Sequence, residues 1–272
     1  MIKKLFKTFL FLIGFILCVY PLFSSFINDL RQEDILSSYE KVISVNENTL
    51  DKEKEKAIMY NKAVYDKQNG IINNEINEIL SKENYNNVYD ITGSGIIGSI
   101  EIPKIKLKLP IYHGTDEKTL ASGAGHLEGT SFPTGEPNTK SVITGHRGLP
   151  DANLFLRLDE VKEDDVFYIK IGDEKIAYKV INIKVVEPDD EEVTIIEDNR
   201  NLVSLVTCTP YGLNTHRLIV TGQRSNEIKS KDSINEVKNI EVPSVRRGVM
   251  NFLPFIFLAV AVIKLIKRKR RD

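Results

Sequence analysis

The chain has one cysteine with no partner in its own domain. Cys208 and Cys18 are its only two cysteines, and Cys18 lies inside a long apolar run near the N-terminus. Cys208 ends an apolar stretch and precedes Thr-Pro-Tyr-Gly, a sequence typical of a turn that could expose the thiol. Cys208 is therefore a candidate nucleophile. The alternative is an inert buried cysteine that serves as a small hydrophobic residue.

A nucleophilic thiol needs a basic or cationic neighbour that favours its thiolate form. The chain has four histidines that could supply one, namely His113, His126, His146 and His216. His146 follows the strand-like run Ser-Val-Ile-Thr-Gly and begins a turn, so it could stand at the edge of a sheet. The other three also lie in turns or beside charged residues. The residues alone leave all four open, and for any one of them a structural role is common.

Arg217 begins the apolar run His-Arg-Leu-Ile-Val, nine residues after Cys208, and a turn with Gly212 and Asn214 separates the two. Adjacent antiparallel strands joined by such a loop would place a cysteine at the end of one strand near an arginine at the start of the next. A guanidinium at that point could bind a developing oxyanion or a substrate carbonyl. The alternative is a surface arginine in an ordinary salt bridge.

No cofactor or metal site is expected from the motifs. The chain lacks HExxH, a P-loop and a dinucleotide glycine fingerprint. Residues 93–98, Gly-Ser-Gly-Ile-Ile-Gly, precede a predicted strand instead of opening a helix. The acidic residues at 189–192 could attract calcium, but they lack EF-hand spacing and are interpreted as a solvated loop.

The charge distribution argues against a nucleic-acid partner. Of the 37 Lys and Arg residues, three precede residue 8 and eight follow Val245, which leaves 26 against 37 Asp and Glu between Asn28 and Val245. An excess of acidic residues cannot form the basic face that phosphate binding requires.

From residue 93 onward the pattern predicts a mainly β domain that ends near residue 224. Short runs of β-branched and aromatic residues alternate there with Gly, Pro and Asp, which indicates an antiparallel sandwich or barrel of seven or eight strands. A single short helix is expected at Ala152–Val161. The predicted strands are Ile97–Ile102, Leu107–Tyr112, Ser141–His146, Val166–Ile171, Ile176–Val186, Leu202–Cys208 and Leu218–Thr221.

Residues 29–92 have apolar residues at helical spacing and predict a helical, lid-like segment in front of the β domain. Gly70 should divide it into two pieces, since glycine is unfavourable inside a helix. Residues 225–247 are polar without a clear period and are interpreted as a linker.

The two ends predict membrane helices. Residues 8–28 contain no charged residue and are long enough to span the bilayer as a helix. Residues 248–266 form a second apolar run of spanning length. The basic tails, residues 1–7 and 267–272, would be retained in the cytoplasm. The expectation is a two-pass protein of the cell membrane with both termini inside and its β domain outside.

Several separated motifs carry a family resemblance. Residues 204–222, SLVTCTPYGLNTHRLIVTG, closely resemble the cysteine-to-arginine segment of sortases, and their details are similar to class C, the pilin-polymerising type. The likeness continues through residues 97–115, 123–135 and 141–150. The predicted second membrane helix is also typical of class C.

The resemblance implies a closed eight-stranded sortase-like barrel flanked by the two membrane helices. It makes Cys208 the nucleophile, His146 the proton donor and acceptor, and Arg217 the oxyanion or substrate-orienting group. Cys208 would end the seventh strand, Arg217 would start the eighth, and His146 would follow the fourth.

The implied activity is that of a membrane-anchored cysteine transpeptidase that cleaves an LPXTG-like sorting signal. The acyl fragment would be joined to an amine, which is a pilin lysine in pilus assembly or a peptidoglycan cross-bridge amine in cell-wall anchoring. A cysteine peptidase would hydrolyse the same acyl-enzyme, and a membrane-tethered binding module would need no reactive thiol.

One feature departs from the class C pattern. Residues 29–92 contain no Asp-Pro-aromatic motif of the kind that plugs the active site from a lid, and Asp66 is the nearest approach. A calcium site belongs to another class of the family and is not matched by residues here.

Overall fold

The computed structural model describes residues 2–45, 47–147 and 154–225, and eight strands in these ranges form a closed barrel. Around the barrel the strands follow the order β1, β2, β3, β4, β7, β8, β6, β5. The strands are β1 Ile96–Ile102, β2 Leu107–His113, β3 Ala124–His126, β4 Thr139–Thr144, β5 Val166–Ile171, β6 Glu174–Val186, β7 Asn201–Thr209 and β8 His216–Arg224.

The sequence prediction of an antiparallel sheet is wrong at two places. The pairs β2–β3 and β4–β7 are parallel, and the other six contacts around the barrel are antiparallel. Parallel neighbours need a long crossover between them. The β5–β6 hairpin lies between β4 and β7 in the chain, and this long excursion lets β7 return beside β4.

The sequence pattern also missed one strand and misassigned one helix. Strand β3 has three residues and includes Gly125, so it is too short to show alternation. The expected helix at Ala152–Val161 is a turn followed by a 3-10 helix at Leu158–Glu160, with residues 152–153 outside the described part. Leu154 has a left-handed backbone (φ 31°), and the Phe155 amide donates to the carbonyl oxygen of His146 at 3.0 Å, which prevents a regular helix.

The segment before the barrel is helical, as predicted. Helix α1 spans Ile2–Val45, α2 spans Glu47–Gln68, α3 spans Asn74–Ile79 and α4 spans Lys82–Asn87. Chain contacts place residues 2–30 in a different compact unit from the described residues that follow. The predicted break occurs at Gly70, which adopts a left-handed conformation (φ 83°) just after α2.

Buried contacts bind the helical segment to the barrel. Asn61 of α2 is 4% exposed; its amide nitrogen donates to the Phe132 carbonyl and the Thr134 hydroxyl, both at 2.9 Å, and its amide oxygen accepts from the Phe132 amide at 2.7 Å. Tyr39 of α1 donates to the carbonyl of Ile97 at 3.1 Å. Because buried polar groups need partners, these bonds specify one position on the sheet for α2 and for the part of α1 from residue 31 onward.

His126 lies at the centre of this contact. Its Nε2 is 2.9 Å from the Ser131 carbonyl oxygen, and its Nδ1 is 3.1 Å from the hydroxyl of Tyr85 in α4. Phe132 stacks on the imidazole at 4.6 Å between ring centroids. Burial lowers the pKa of His126 to about 4. The ring is therefore neutral at pH 7, with Nε2–H donating to Ser131.

Among the described residues, no helix is both long enough and apolar enough to cross a membrane. The first predicted span, residues 8–28, lies within α1 and is not confirmed as a span. The linker at 226–247, the second predicted span at 248–266 and the basic tail at 267–272 lie outside the described residues.

Replacing His126 by Gln should flatten the pH dependence of stability between about pH 6.5 and pH 4. The folded-state pKa of about 4 lies below the ordinary 6.5, so the unfolded chain binds more protons in this window. In the wild type the neutral His126 contributes up to about 3 kcal/mol to the free energy of unfolding above pH 6.5. This contribution is lost as the pH falls toward 4. Urea denaturation at a series of pH values measures the slope.

The control is His216→Gln, at a histidine whose side chain is 42% exposed, which should keep the wild-type slope. An unchanged slope in His126→Gln would contradict a neutral, buried imidazole at this position.

Candidate active site

Cys208 and Arg217 lie directly opposite each other in the antiparallel β7–β8 pair. Side chains of directly opposed residues project from the same face, with Cβ atoms roughly 5 Å apart. This pairing confirms the expectation from the sequence that the loop between the two strands places Arg217 near Cys208. Cys208 is partly buried and is a free thiol.

Arg217 keeps its charge available. Its Nη1 donates only to the carbonyl oxygens of Asn214 at 3.3 Å and His216 at 3.2 Å, both in its own turn. Within the described ranges it has no carboxylate partner, so the ordinary salt bridge considered as an alternative is not formed there. A guanidinium that has no carboxylate partner and lies beside a thiol can stabilise the oxyanion that forms when the sulfur attacks a carbonyl group.

His146 reaches the same place along a different strand. Strand β4 runs parallel to β7 with Thr144 beside Val206, and the next amide, that of Gly145, donates to the Val206 carbonyl at 3.0 Å. The buried Thr207 hydroxyl donates to the Gly145 carbonyl at 2.7 Å. Continuing this register by two residues brings His146 alongside Cys208. The structure therefore brings all three predicted site residues to one end of the barrel.

The imidazole of His146 has a nitrogen without a hydrogen bond. Among the described residues its Nε2 is buried without a hydrogen-bond partner and lies 3.6 Å from Oε1 of Glu117, the first residue of helix α5 (Glu117–Ser122). The Phe155 ring packs so closely that a Cβ on Gly145 would lie 2.8 Å from it.

Sequence reasoning missed Arg147, which ties the loop after β4 to the end of β7. Its side chain is 10% exposed; Nη1 donates to the Thr209 hydroxyl and, at 3.5 Å, to the Cys208 carbonyl. Its Nη2 forms an ion pair of 2.6 Å with Asp159. Arg147 thus positions the backbone that carries the cysteine. Its place directly after His146 was the only signal, because arginine is usually a surface residue.

The other three histidines have structural contacts elsewhere. His126 is buried and His113 half-buried near α4; His113 Nε2 lies 2.7 Å from the Val88 carbonyl oxygen. His216 contacts the Thr215 hydroxyl and, at 3.4 Å, Glu187. These placements separate the four histidines that the residues alone left open.

The acidic residues at 189–192 are involved in local contacts. The Asp190 carboxylate accepts from the Glu192 amide at 2.9 Å, and Glu192 lies 3.7 Å from Lys184. In residues 2–45, 47–147 and 154–225 no group of three or more His, Cys, Asp or Glu is arranged to hold a metal ion.

Comparisons with known proteins agree with this arrangement. A family model described as "Sortase domain" matches residues 100–225. The crystal structure of sortase C1 from Streptococcus agalactiae is 39% identical, with a TM-score of 0.63, and the match covers 71% of this chain and 98% of that one. Sortase C from Clostridium perfringens, solved with the C-terminal cell wall sorting motif, is 40% identical, with a TM-score of 0.60 and the same coverage.

The closed barrel, with a cysteine, a histidine and an arginine at one end, has the fold and the site of a cysteine transpeptidase. The chain belongs to the sortase family, whose relatives are cysteine transpeptidases, and its structural neighbours are class C sortases. Sortase D from Bacillus subtilis (strain 168) is 31% identical over 130 residues. That match covers 47% of this chain and 63% of the B. subtilis protein, so the chain spans less than two thirds of this relative.

Replacing Arg147 by Met should loosen the end of β7. The change removes bonds from a charged donor, each worth roughly 1.5–3 kcal/mol, so amide hydrogen exchange around residues 208–213 should accelerate about tenfold or more. Mass spectrometry of the peptides measures it, and the β5–β6 hairpin should be unaffected.

Arg157→Met provides a matched control, because Arg157 also joins a carboxylate, Glu160, and a backbone carbonyl, that of Ile105. It should leave exchange at residues 208–213 unchanged. Unaltered exchange there in Arg147→Met would show that Arg147 does not position the cysteine.

Proposed function

We propose that the chain is a membrane-anchored transpeptidase that cleaves an LPXTG-like sorting signal and joins the acyl fragment to an amine. The observation that carries the proposal is the direct pairing of Cys208 with an Arg217 that has no carboxylate partner in the described part of the chain. Membership of the sortase family and the proximity of His146 support it.

The acylation step follows from the three side chains. The Cys208 thiolate attacks the carbonyl carbon of the signal's threonine, and Arg217 stabilises the oxyanion of the tetrahedral intermediate. The carbon–nitrogen bond after threonine then breaks, and His146 protonates the departing amine. The product of this step is a thioester between Cys208 and the acyl fragment.

Deacylation reverses the roles. An incoming amine attacks the thioester and loses a proton to His146, and the carbon–sulfur bond breaks to restore the Cys208 thiolate. For pilus assembly this amine is a lysine of the next pilin, and the likeness to class C sortases favours it. Peptidoglycan cross-bridge amines and water are the competing acceptors, which define the cell-wall-anchoring and peptidase alternatives.

The membrane part of the proposal concerns residues 8–28 and 248–266. The amino-acid sequence supports this part: residues 8–28 contain no charged residue, and residues 248–266 are mostly apolar with one charged residue, Lys264, which could reach toward the headgroups. Both basic termini would be cytoplasmic and the barrel extracellular. Confinement to one plane with membrane-held substrates would raise their effective concentration.

Cys208→Ala should abolish formation of an amide between a sorting-signal peptide and a lysine-bearing acceptor. The variant lacks the sulfur that forms the thioester, and the assay is mass spectrometry of the products with and without the acceptor. Persistent transfer would identify a different nucleophile. Release of acid alone by the wild type, even with acceptor present, would favour the peptidase alternative.

Arg217→Ala should lower kcat by roughly 10²–10³-fold, the effect of losing one oxyanion donor. His216→Ala, which changes the preceding residue, whose side chain is 42% exposed, should keep near wild-type kcat. Melting temperatures of both variants verify folding. Full activity of folded Arg217→Ala would remove Arg217 from the mechanism.

A further inference from the structure

A groove lies on the outer face of the barrel, on the same face as the catalytic side chains. Ser204 and Cys208 are an even number of residues apart on β7, as are Arg217, Ile219 and Thr221 on β8, so each set projects from one face. Ser204, Ile219 and Thr221 line the groove, which has a volume of about 270 Å³. Residues 187–200 form its opposite wall.

Lys140 of β4 also lines this groove, and it is 5% exposed. Among the described residues its ammonium group forms no hydrogen bond or ion pair. A largely buried lysine whose ammonium group has no such partner is unfavourable, since the ammonium loses part of its hydration and gains nothing in exchange. Burial accordingly lowers the pKa of Lys140, Arg200 and Lys184 lower it further, and Glu197 opposes them.

The other charged groups of the groove have partners. Lys184 lies 3.7 Å from Glu192, Arg200 pairs with Glu197, and the hydroxyls of Ser204 and Thr221 bond each other at 2.9 Å. The carboxylates near the groove are therefore occupied by other cations or by their own turns. Among the described residues that line the groove, Lys140 is the remaining cation, and a bound ligand could supply its partner.

We propose that this groove is a second recognition site that binds a carboxylate of the acyl-donor protein to Lys140. The inference rests on the proposed function for the identity of the donor. A carboxylate is the guest that both neutralises the ammonium and accepts its hydrogen bonds. The acyl side is the part of the substrate that stays attached to Cys208 after cleavage, so a contact there acts in both half-reactions.

Strand geometry sets the distance between the two sites. Lys140 pairs with Leu202, six residues before Cys208 on β7, which is roughly 20 Å at about 3.3 Å per residue. Between them, Val142, Val206 and Ile219 form a buried cluster covered by Val193, and the peptide must pass over it. An acidic residue about six to eight positions before the scissile bond would therefore reach Lys140.

The test measures binding without turnover, on the full chain with Cys208→Ala. Donor peptides carry a sorting signal and a single Glu, placed five to nine positions before the scissile bond, and matched peptides carry Gln. We expect the Glu peptide to bind about tenfold more tightly than its Gln partner at one or two of these positions. Fluorescence anisotropy gives the dissociation constants.

Lys140→Met should abolish the preference for Glu, and Lys140→Gln provides a second variant if the first fails to fold. Lys184→Met is the matched control, since Lys184 lines the groove but is paired with Glu192 and 56% exposed. It should retain the preference. Because the ammonium in the free protein has no partner, Lys140→Met should also melt no lower than the parent.

Equal binding of Glu and Gln peptides at every position, or a preference that survives in both Lys140 variants, would overturn the proposal. A Glu peptide without the sorting signal serves as competitor. Displacement by it at equal concentration would show a site for free carboxylates and overturn the donor assignment. Failure of the wild type to transfer any donor would instead count against the proposed function, because the binding measurement does not depend on turnover.

Discussion

The register of the β7–β8 pair is the constraint on which the rest of the site depends. Eight successive pairs, from Leu202 with Gln223 to Thr209 with His216, place Cys208 opposite Arg217. A slip of one residue would move every side chain of one strand to the other face. The fully buried residues Leu205 and Val220, which are paired in the barrel interior, oppose such a slip because it would remove an apolar side chain from that interior. Ordinary hydrophobic burial thus fixes a catalytic geometry.

Parallel pairing of β4 with β7 supplies the third side chain from a distant part of the sequence. Strand β4 ends opposite Val206, before β7 ends at Thr209, so the residues that follow β4 run beside the cysteine. Thr207 and Arg147 then attach this loop to the end of β7 through side-chain bonds to backbone oxygens. The site is therefore built on two neighbouring strands that restrain each other, which preorganises it.

The helical segment contributes to the barrel through a separate set of contacts. Asn61, Tyr85 and the neutral His126 satisfy buried polar groups between the helices and the sheet. In the described residues, no hydrogen bond or ion pair joins residues 31–92 to Cys208, His146 or Arg217. His113 and His126, whose side chains could in principle act as bases, therefore have structural roles. Lys140 shows the opposite case, a largely buried lysine whose ammonium group has no partner among the described residues.

The sequence alone was sufficient to predict the strand-rich domain, the helical segment before it and the break at Gly70. These features follow from local periodicity and from glycine's backbone freedom, which act over a few residues. The motifs around Cys208 and Arg217 predicted their proximity because one short loop joins them. Their resemblance to known motifs also selected His146 among the four histidines.

Only the tertiary structure decided the parallel pairs, the three-residue strand β3 and the 3-10 turn at Leu158–Glu160. Each depends on partners far away in the chain: β7 beside β4, or the His146 carbonyl that captures the Phe155 amide. The roles of Arg147 and Lys140 were hidden for the same reason. Whether a charged side chain is exposed, paired or buried alone depends on what the folded chain brings around it, and no local pattern records that.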